Sequence, residues 1–591
     1  MKKSLFLCII LLSFMVESKS QSKPNVILIL TDDQGIGDLG CHGNPWLKTP
    51  NIDTFYEESV RLTDFHVSPL CTPTRAAIMT GKYPINNGAW ATFKGRDALS
   101  KNTPTIANLF QENGYTTALF GKWHLGDNYP VRPTDSGFNF AIHHLAGGIG
   151  ELSDYWGNSY FDDVYYVNNE AKQFQGYCTD VWFEESMKFI EKQEDNPFFI
   201  YLALNAPHDP LIVDEKYAAP YKHLEGSEII SANLYGMIAN IDENFGKLRQ
   251  FLAEKKLTDN TIFIFMSDNG TRFGYSKDGK LGYNKGFRGI KGSKAEGGHR
   301  VPFFIQWKDG KIQGGKDQDF LSAHVDLLPT LASLCGIDLS DKYQTDGVDL
   351  SPILRDKKEN LDERSIFIHH RQDWRPPHDL AQSCVLQNQW RLINGKELYD
   401  TSKDPLQKNN IVKEHRELVN DLLSQNASFI ESSKKHTVYN ELSTAIIGNK
   451  AQKEVKLTIQ HAIGEDVGIW KCEQVAKGVK NKNNTHSLEI EKEGYYLISC
   501  SRWPKELAAP ILGSPTNNLN PHYSYKNIHP EKVRIRIANQ IIEKEILENQ
   551  YAVSFRVYLE KGKTLFSNDF IEDGETYGVY YTYISYDDAE I

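Results

Sequence analysis

Asn25-Val-Ile-Leu-Ile-Leu30 runs directly into Thr31-Asp32-Asp33-Gln34, so an apolar stretch with no polar alternation ends on two adjacent carboxylates. A short run of this kind predicts a strand buried on both faces rather than a half-exposed one. Three further runs share its texture: Phe198-Phe-Ile-Tyr-Leu-Ala-Leu204, Thr261-Ile-Phe-Ile-Phe-Met266 and Val301-Pro-Phe-Phe-Ile305. Between and after them, residues 105–111, 180–192, 231–254 and 324–334 carry helical periodicity. The alternation predicts an α/β fold, a large mixed sheet sandwiched by helices. On such sheets ligands gather where strands end. Asp32-Asp33, His208 and Asp268-Asn269 each follow a strand-like run, so the polar groups collect where a site is expected.

The α/β region is assigned to residues 21–350, and the texture then changes. Residues 365–369 and 384–393 predict strands of a smaller sheet, and 413–432 a closing amphipathic helix, which makes 351–435 a C-terminal subdomain. Ser432-Ser-Lys-Lys-His436 has the composition of a linker. Beyond it, 533–537, 553–559 and 577–586 alternate with a period of two, the pattern of half-exposed strands. Residues 437–591 therefore form an appended β-rich domain, expected to be a sandwich.

Met1-Lys2-Lys3 and the apolar run from Leu5 to Met15 have the form of a signal peptide spanning residues 1–20, and no later segment has the apolar length of a membrane span. The expected location is exported, periplasmic or secreted, without stable membrane insertion. Residues 1–20 carry a net charge of +2, so removing them takes the chain from −11 to −13. An acidic surface argues against a nucleic-acid partner. The seven remaining cysteines are scattered without CxxC pairs, which suggests neither a zinc site nor a disulfide scaffold.

Four residues supply hard ligands. Asp32, Asp33, Asp268 and Asn269 form an all-oxygen set suited to calcium or magnesium rather than zinc, although each pair alone would serve equally well as an Asx-turn. A turn at Gly35 and Gly37 would let both Asp32 and Asp33 approach one ion. Arg75, Lys122 and Lys291 together imply an anion. One divalent ion, these three cations and three aspartates sum to +2, ready for a singly charged ester. His124 and His208 are the natural proton carriers.

Cys71-Thr-Pro-Thr-Arg75, followed by Thr80-Gly-Lys-Tyr-Pro84, changes the weight of a cysteine that would otherwise be a small buried hydrophobe or half of a disulfide. The stretch resembles the signature of the type I, formylglycine-dependent sulfatases of the alkaline-phosphatase superfamily. Thr31 to Gln34, Gly121-Lys-Trp-His124, Ala206-Pro-His208, Ser267-Asp-Asn-Gly270 and Lys291-Gly extend the resemblance across residues 24–434. It implies an alkaline-phosphatase-like fold, one calcium ion ahead of magnesium, and a maturation enzyme that converts Cys71 to formylglycine. The hydrated aldehyde, held by the metal and Arg75, would attack sulfur. His208, with Lys291 nearby, would protonate the leaving alcohol, His124 would draw the proton that expels sulfate, and Lys122 would steady the sulfate oxygens. A formylglycine-dependent phosphodiester or phosphonate hydrolase and an inactive carbohydrate-binding relative are the rivals; the family's phosphonate hydrolases typically carry Asp-His where this chain has Asp268-Asn269. The expected substrate is a sulfated polysaccharide, either an algal polymer such as ulvan or carrageenan or a glycosaminoglycan. Trp90, Lys94, Arg96 and residues 369–375 are candidate sugar contacts, with core packing as their alternative.

Overall fold

A computed structural model describes residues 23–358, 361–378, 380–517, 520 and 523–588, and the signal peptide expected at 1–20 lies outside them. Ten strands form one mixed sheet in the order Lys316–Gln318, Val60–Leu62, Phe303–Gln306, Thr261–Ser267, Asn25–Thr31, Phe198–Ala203, Thr116–Lys122, Phe140–His144, Val164–Val167 and Glu170–Gln173. The five from Thr261–Ser267 to Phe140–His144 run parallel, and their neighbours on both sides turn antiparallel.

Asn25–Thr31 sits at the middle of this sheet with every residue buried. Val26, Leu28 and Leu30 face one core, with Ala76 and Met79 of the helix Cys71–Thr80 and Leu328 and Leu331 of Leu327–Leu334. Ile27 and Ile29 face the other, with Met237, Ile241, Phe245 and Leu248 of Ala232–Glu254. Both faces are covered, which is why the run has no polar alternation. Each of the wholly buried Val, Leu, Ile, Met and Phe side chains contributes about 1.5–3 kcal/mol.

Ser365–His369, Ser383–Gln387, Trp390–Ile393 and Glu397–Asp400 form a four-stranded antiparallel sheet, followed by the helix Arg416–Ser433. The single strand segment expected at 384–393 is a hairpin, because Asn388 adopts a left-handed φ of 46° and turns the chain. The sequence expected as a linker is shorter in effect, since the helix continues to Ser433 and a 3₁₀ turn begins at Thr437.

The last region folds as two sheets over one core. Thr444–Ile447, Thr485–Ile490, Gly562–Glu572, Lys532–Ile537 and Gln540–Glu545 pair in that order, with Glu575–Gly578 added to Gly562–Glu572. Glu454–Thr458, Tyr581–Tyr586, Gly494–Ser501 and Val553–Leu559 make the second sheet. Residues 577–586, expected as one strand, divide between the two sheets: Tyr580 is fully buried and donates its hydroxyl to Val479 O where the chain crosses. Leu152 and Trp156 of the α/β region belong to the same core, so the two regions share an apolar contact. Among the described residues no helix is long and apolar enough to cross a membrane, and all seven described cysteines are free.

Candidate active site

Four neighbouring strands end side by side, and each delivers part of the polar cluster. In sheet order these are Thr261–Ser267 before Asp268-Asn269, Asn25–Thr31 before Asp32-Asp33, Phe198–Ala203 before His208, and Thr116–Lys122 ending on Lys122 before His124. Thr31 pairs with Ser267 in register, which sets the two acidic pairs beside one another. Asp33 has a φ of 64° and ends its strand by itself. Gly35 and Gly37 do lie in a turn, closed by Asp38 N donating to Gly35 O at 3.0 Å, but neither takes a positive φ, and what the turn uses is their small size. A Cβ on Gly35 would lie 2.6 Å from Thr271 Cβ, and one on Gly37 2.3 Å from Tyr283 O, so they give clearance to the 271–284 loop.

The charges interlock. Lys122 Nζ donates to Asp32 Oδ2 at 2.7 Å, and Lys291 Nζ lies 2.5 Å from Asp33 Oδ1. Arg75 donates to Asp268 Oδ2 through Nε at 3.1 Å and Nη2 at 2.8 Å, while Asp268 Oδ1 accepts from Asp33 N at 3.1 Å. Burial pushes the Asp268 carboxyl up to about 6, reinforced by Asp32 and opposed by Arg75. Burial acts on Asp33 in the same sense, yet Lys291, His208 and the Asn269 amide outweigh it and hold Asp33 well below the usual range.

Three buried oxygens, Asp32 Oδ1, Asp33 Oδ2 and Asn269 Oδ1, accept no hydrogen bond from the protein. Buried acceptors of this kind demand a partner. Ligand atoms of Asp32, Asp33 and His208 lie within 4.8 Å of one another, and it is the free oxygens of Asp32, Asp33 and Asn269, not the imidazole, that fit a hard divalent cation. A second buried group, His66, Glu296 and His299, has comparable spacing. Arg391 and Arg300 already ion-pair with Glu296, at 2.8 and 3.0 Å, so that group is a charge-compensated network rather than a second metal centre.

Cys71 opens the wholly buried helix Cys71–Thr80, which has no side-chain cap, so its free amide end faces the cluster. Its Sγ lies 3.5 Å from His124 Nδ1. His124 Nε2 lies 3.1 Å from Thr92 O, a pure acceptor, so Nε2 carries the proton and the Nδ1 lone pair faces position 71. Burial, then Lys122, pushes His124 well below its ordinary value and keeps the ring neutral. Burial also pushes the Cys71 thiol up, against the pull of Lys122 and Lys291, so the unaltered residue is a thiol and not a thiolate. His208 Nδ1 donates to Asp209 O at 2.7 Å, leaving Nε2 toward Asp33, 3.7 Å from Oδ2. Burial lowers His208 to about 4, with Asp33 opposing and Lys291 adding to the shift. The loop that carries Lys291 is tied to both sides of the site by Lys291 N to Thr271 O and Gly292 N to Pro69 O, each at 2.9 Å.

The sulfatase family model matches residues 24–337, more than half of the chain and every residue of this cluster. The chain belongs to the sulfatase family. It is accordingly an enzyme of sulfate-ester hydrolysis, on an alkaline-phosphatase-like fold. A second model, N-sulphoglucosamine sulphohydrolase, C-terminal, matches residues 293–431. N-acetylgalactosamine-6-sulfatase of Canis lupus familiaris is 31% identical over 371 residues, covering 58% of this chain and 68% of that protein. Steryl-sulfatase of Homo sapiens is 28% identical over 437 residues, covering 59% and 73%. The crystal structure of Ps i-CgsB in complex with k-i-k-neocarrahexaose superposes with a TM-score of 0.63 at 28% identity, covering 71% of this chain and 95% of that one.

In this sulfatase a cleft of about 780 Å³ opens over Cys71, His124, His208 and Lys291. Of the candidate sugar contacts, Trp90, Lys94 and Arg96 are buried and belong to the packing. The Arg96 guanidinium lies over the Trp90 ring, 4.0 Å from its centroid, and donates to Trp374 O, while Trp90 Nε1 donates to Asp373 O. They hold up the 369–375 segment, from which His370 and Gln372 do reach the cleft. The sequence reading missed Phe93, Arg272, Lys277, Trp470 and Lys471 on the cleft wall. Phe93 and Arg272 lie beside recognised motifs and were within reach of it; Trp470 and Lys471 carry no local signal at all.

Proposed function

We propose that this sulfatase acts through a formylglycine made from Cys71 and removes sulfate from a sulfated polysaccharide or its oligosaccharides. The observation that carries the reading is the facing of Cys71 Sγ by the His124 lone pair, at the amide end of a helix and beside the unpartnered oxygens of Asp32, Asp33 and Asn269. With Asp32, Asp33, Asp268 and Asn269 as its holders, a divalent cation, calcium ahead of magnesium, supplies Lewis-acid activation, and the hydrated aldehyde supplies the oxygen nucleophile.

The chain's own groups then divide the work. Arg75, Lys122 and Lys291 balance the three aspartates, so a divalent ion held there would give the site a surplus of two positive charges for the sulfate. His124, neutral with Nδ1 free, accepts a proton from the oxygen at position 71. His208 Nε2 faces the cleft, and an incoming sulfate counters the Lys291 charge that disfavours the imidazolium, so His208 can deliver a proton to the departing alcohol. The buried thiol itself is a poor nucleophile, which is why conversion of Cys71 is required.

A polymeric sugar is supported by the basic, aromatic wall of the cleft and by the carbohydrate bound to Ps i-CgsB, and the sequence of residues 1–20 supports export. Carrageenan, ulvan and glycosaminoglycans are the candidate polymers, and a formylglycine-generating or sulfatase-maturating enzyme is the implied partner. The test is sulfate release from a panel of defined sulfated oligosaccharides by protein co-expressed with such an enzyme, with the mass of the peptide containing residue 71 read in parallel. Turnover is expected only where that peptide carries the aldehyde mass. Full activity in Cys71→Ala, or faster turnover of phosphate diesters than of sulfate esters, overturns the reading.

A further inference from the structure

The cleft wall is completed from outside the region covered by the family models, which end at residue 431. Trp470 and Lys471 reach it from the 437–591 region. The Trp470 ring packs on Phe93, centroids 5.5 Å apart and planes 31° from parallel, so the two rings form one continuous apolar step beside Thr92, which accepts from His124. Gly468 makes that approach possible: a Cβ there would lie 2.9 Å from the Phe93 ring. The segment is pinned by backbone bonds, Leu152 N to Trp470 O at 3.0 Å and Lys94 N to Gln460 O at 3.2 Å.

Cations rim the step. Arg272 and Lys471 share Asp209, at 3.1 and 3.6 Å, and Lys277 makes no ion pair among the described residues. Three positive charges thus meet one aspartate in an otherwise acidic protein. Glu151, which burial pushes up to about 7 against the pull of Lys122, subtracts at most one more. An aromatic step suits the C–H face of a sugar ring, and a net positive rim suits an acidic substituent. Ligand sites form preferentially where two structural regions meet, as these do.

We propose that Phe93, Trp470 and Lys471 form a subsite for the sugar adjoining the one whose sulfate is removed, and that this neighbour carries its own sulfate or carboxylate. The substrate is then an oligosaccharide with at least two anionic groups, and the 437–591 region is part of the substrate-binding wall. This inference rests on the sulfatase reading above for the reacting sugar, but the subsite itself is a binding claim and can be tested without turnover.

Full-length matured protein is assayed on two pairs of probes: chondroitin 6-sulfate hexasaccharide with N-acetylgalactosamine 6-sulfate, and iota-carrageenan hexasaccharide with galactose 4-sulfate. Trp470→Ala is expected to lower the hexasaccharide-to-monosaccharide ratio of kcat/KM about tenfold, mainly through KM, as loss of one aromatic contact should. Lys471→Gln should lower it severalfold and flatten its salt dependence. Trp470→Phe, which keeps a ring against Phe93, should restore most of the ratio. In parallel, the Cys71→Ala protein is titrated calorimetrically with each hexasaccharide, alone and combined with Trp470→Ala. Equal losses on hexasaccharide and monosaccharide, or hexasaccharide binding unchanged by Trp470→Ala, overturn the subsite. So does wild-type protein that turns over the monosaccharides but neither binds nor hydrolyses a hexasaccharide, and the sulfatase reading then stands. Trp470-dependent binding with no sulfate released from these probes or from the wider oligosaccharide panel, by protein that carries the aldehyde mass, has the opposite meaning: the subsite stands and the catalytic reading falls.

Discussion

Replacing His461 with alanine tests how the 437–591 region is fastened to the cleft. Its Nδ1 lies 2.8 Å from Asp97 Oδ2 and its Nε2 2.6 Å from Asp127 Oδ2. The Asp127 contact is a hydrogen bond and the Asp97 contact an ion pair, and only the imidazolium can be attracted to both carboxylates at once. Burial disfavours that charge, but Asp97 and Asp127 overcome it and hold His461 well above its ordinary value. Removing the partner of a buried charge costs about 3–5 kcal/mol; the Asp127 and His461 side chains keep 11% and 20% exposure, which lowers the figure to about 2–4 kcal/mol. Placed on docking, that is a rise of about 30- to 1,000-fold in the undocked population. Hydrogen exchange reads it at two amides whose acceptors lie across the contact, Leu152 on Trp470 O and Lys94 on Gln460 O. Their protection factors should fall by that ratio in His461→Ala, while amides of the central sheet are unaffected. Because the folded value is raised, the stabilisation is complete below the unfolded histidine value and is lost as pH rises through the folded one. Wild-type protection at these amides should therefore decline on the alkaline side, and the variant's should not. Unchanged protection in His461→Ala, or a wild-type profile with no alkaline decline, refutes the clamp.

Three shorter predictions follow from the same charges. Protein purified without chelator should hold one divalent ion per chain by elemental analysis, and Asp32→Asn should lose most of it; equal ion content in the two would remove Asp32 from the metal set. Arg391→Ala leaves Glu296 without its nearest cation and removes a partner from Asp64, so it should cost about 3–5 kcal/mol and lower the midpoint of thermal inactivation. Burial pushes Glu296 up, but Arg391, His66 and Arg300 hold it down to about 2, so its contribution is present above 4.5 and lost as pH falls from there toward 2; acid inactivation of Arg391→Ala should begin at higher pH than that of the wild type. Arg96→Ala removes the guanidinium from the Trp90 ring and its bond to Trp374 O, and should loosen the 369–375 segment by about 1–3 kcal/mol, seen as faster proteolysis there.

The contrast between Asp32 and Trp470 marks how far the sequence is legible. Asp32, Asp33, Asp268 and Asn269 were readable because each follows a run whose apolar texture fixes both a buried strand and the point where it ends. Lys122 was readable only through its motif; its own strand, Thr116–Lys122, begins Thr-Thr-Ala and was not recognised as one. No local pattern states that these four strand exits are neighbours, because the order is set by parallel pairing between segments up to about 240 residues apart. The family resemblance implied that these groups share one site, and the register of Thr31 with Ser267 shows how the strands bring them together. Trp470 had neither kind of signal. It stands in an irregular segment, and its place on the cleft depends on Gly468 clearing Phe93, on Leu152 holding its carbonyl, and on a core that takes Leu152 and Trp156 from the other region. Each of those contacts spans hundreds of residues in sequence and is made by ordinary residue types. The groups proposed to hold the reacting sulfate therefore announce themselves in short motifs, whereas those proposed to select the sugar beyond it exist only as a product of two regions docking. The His461 and Trp470 variants consequently probe one question from two sides: if the clamp opens, discrimination between hexasaccharide and monosaccharide should fall with it, while metal content and the mass of the residue-71 peptide stay as in the wild type.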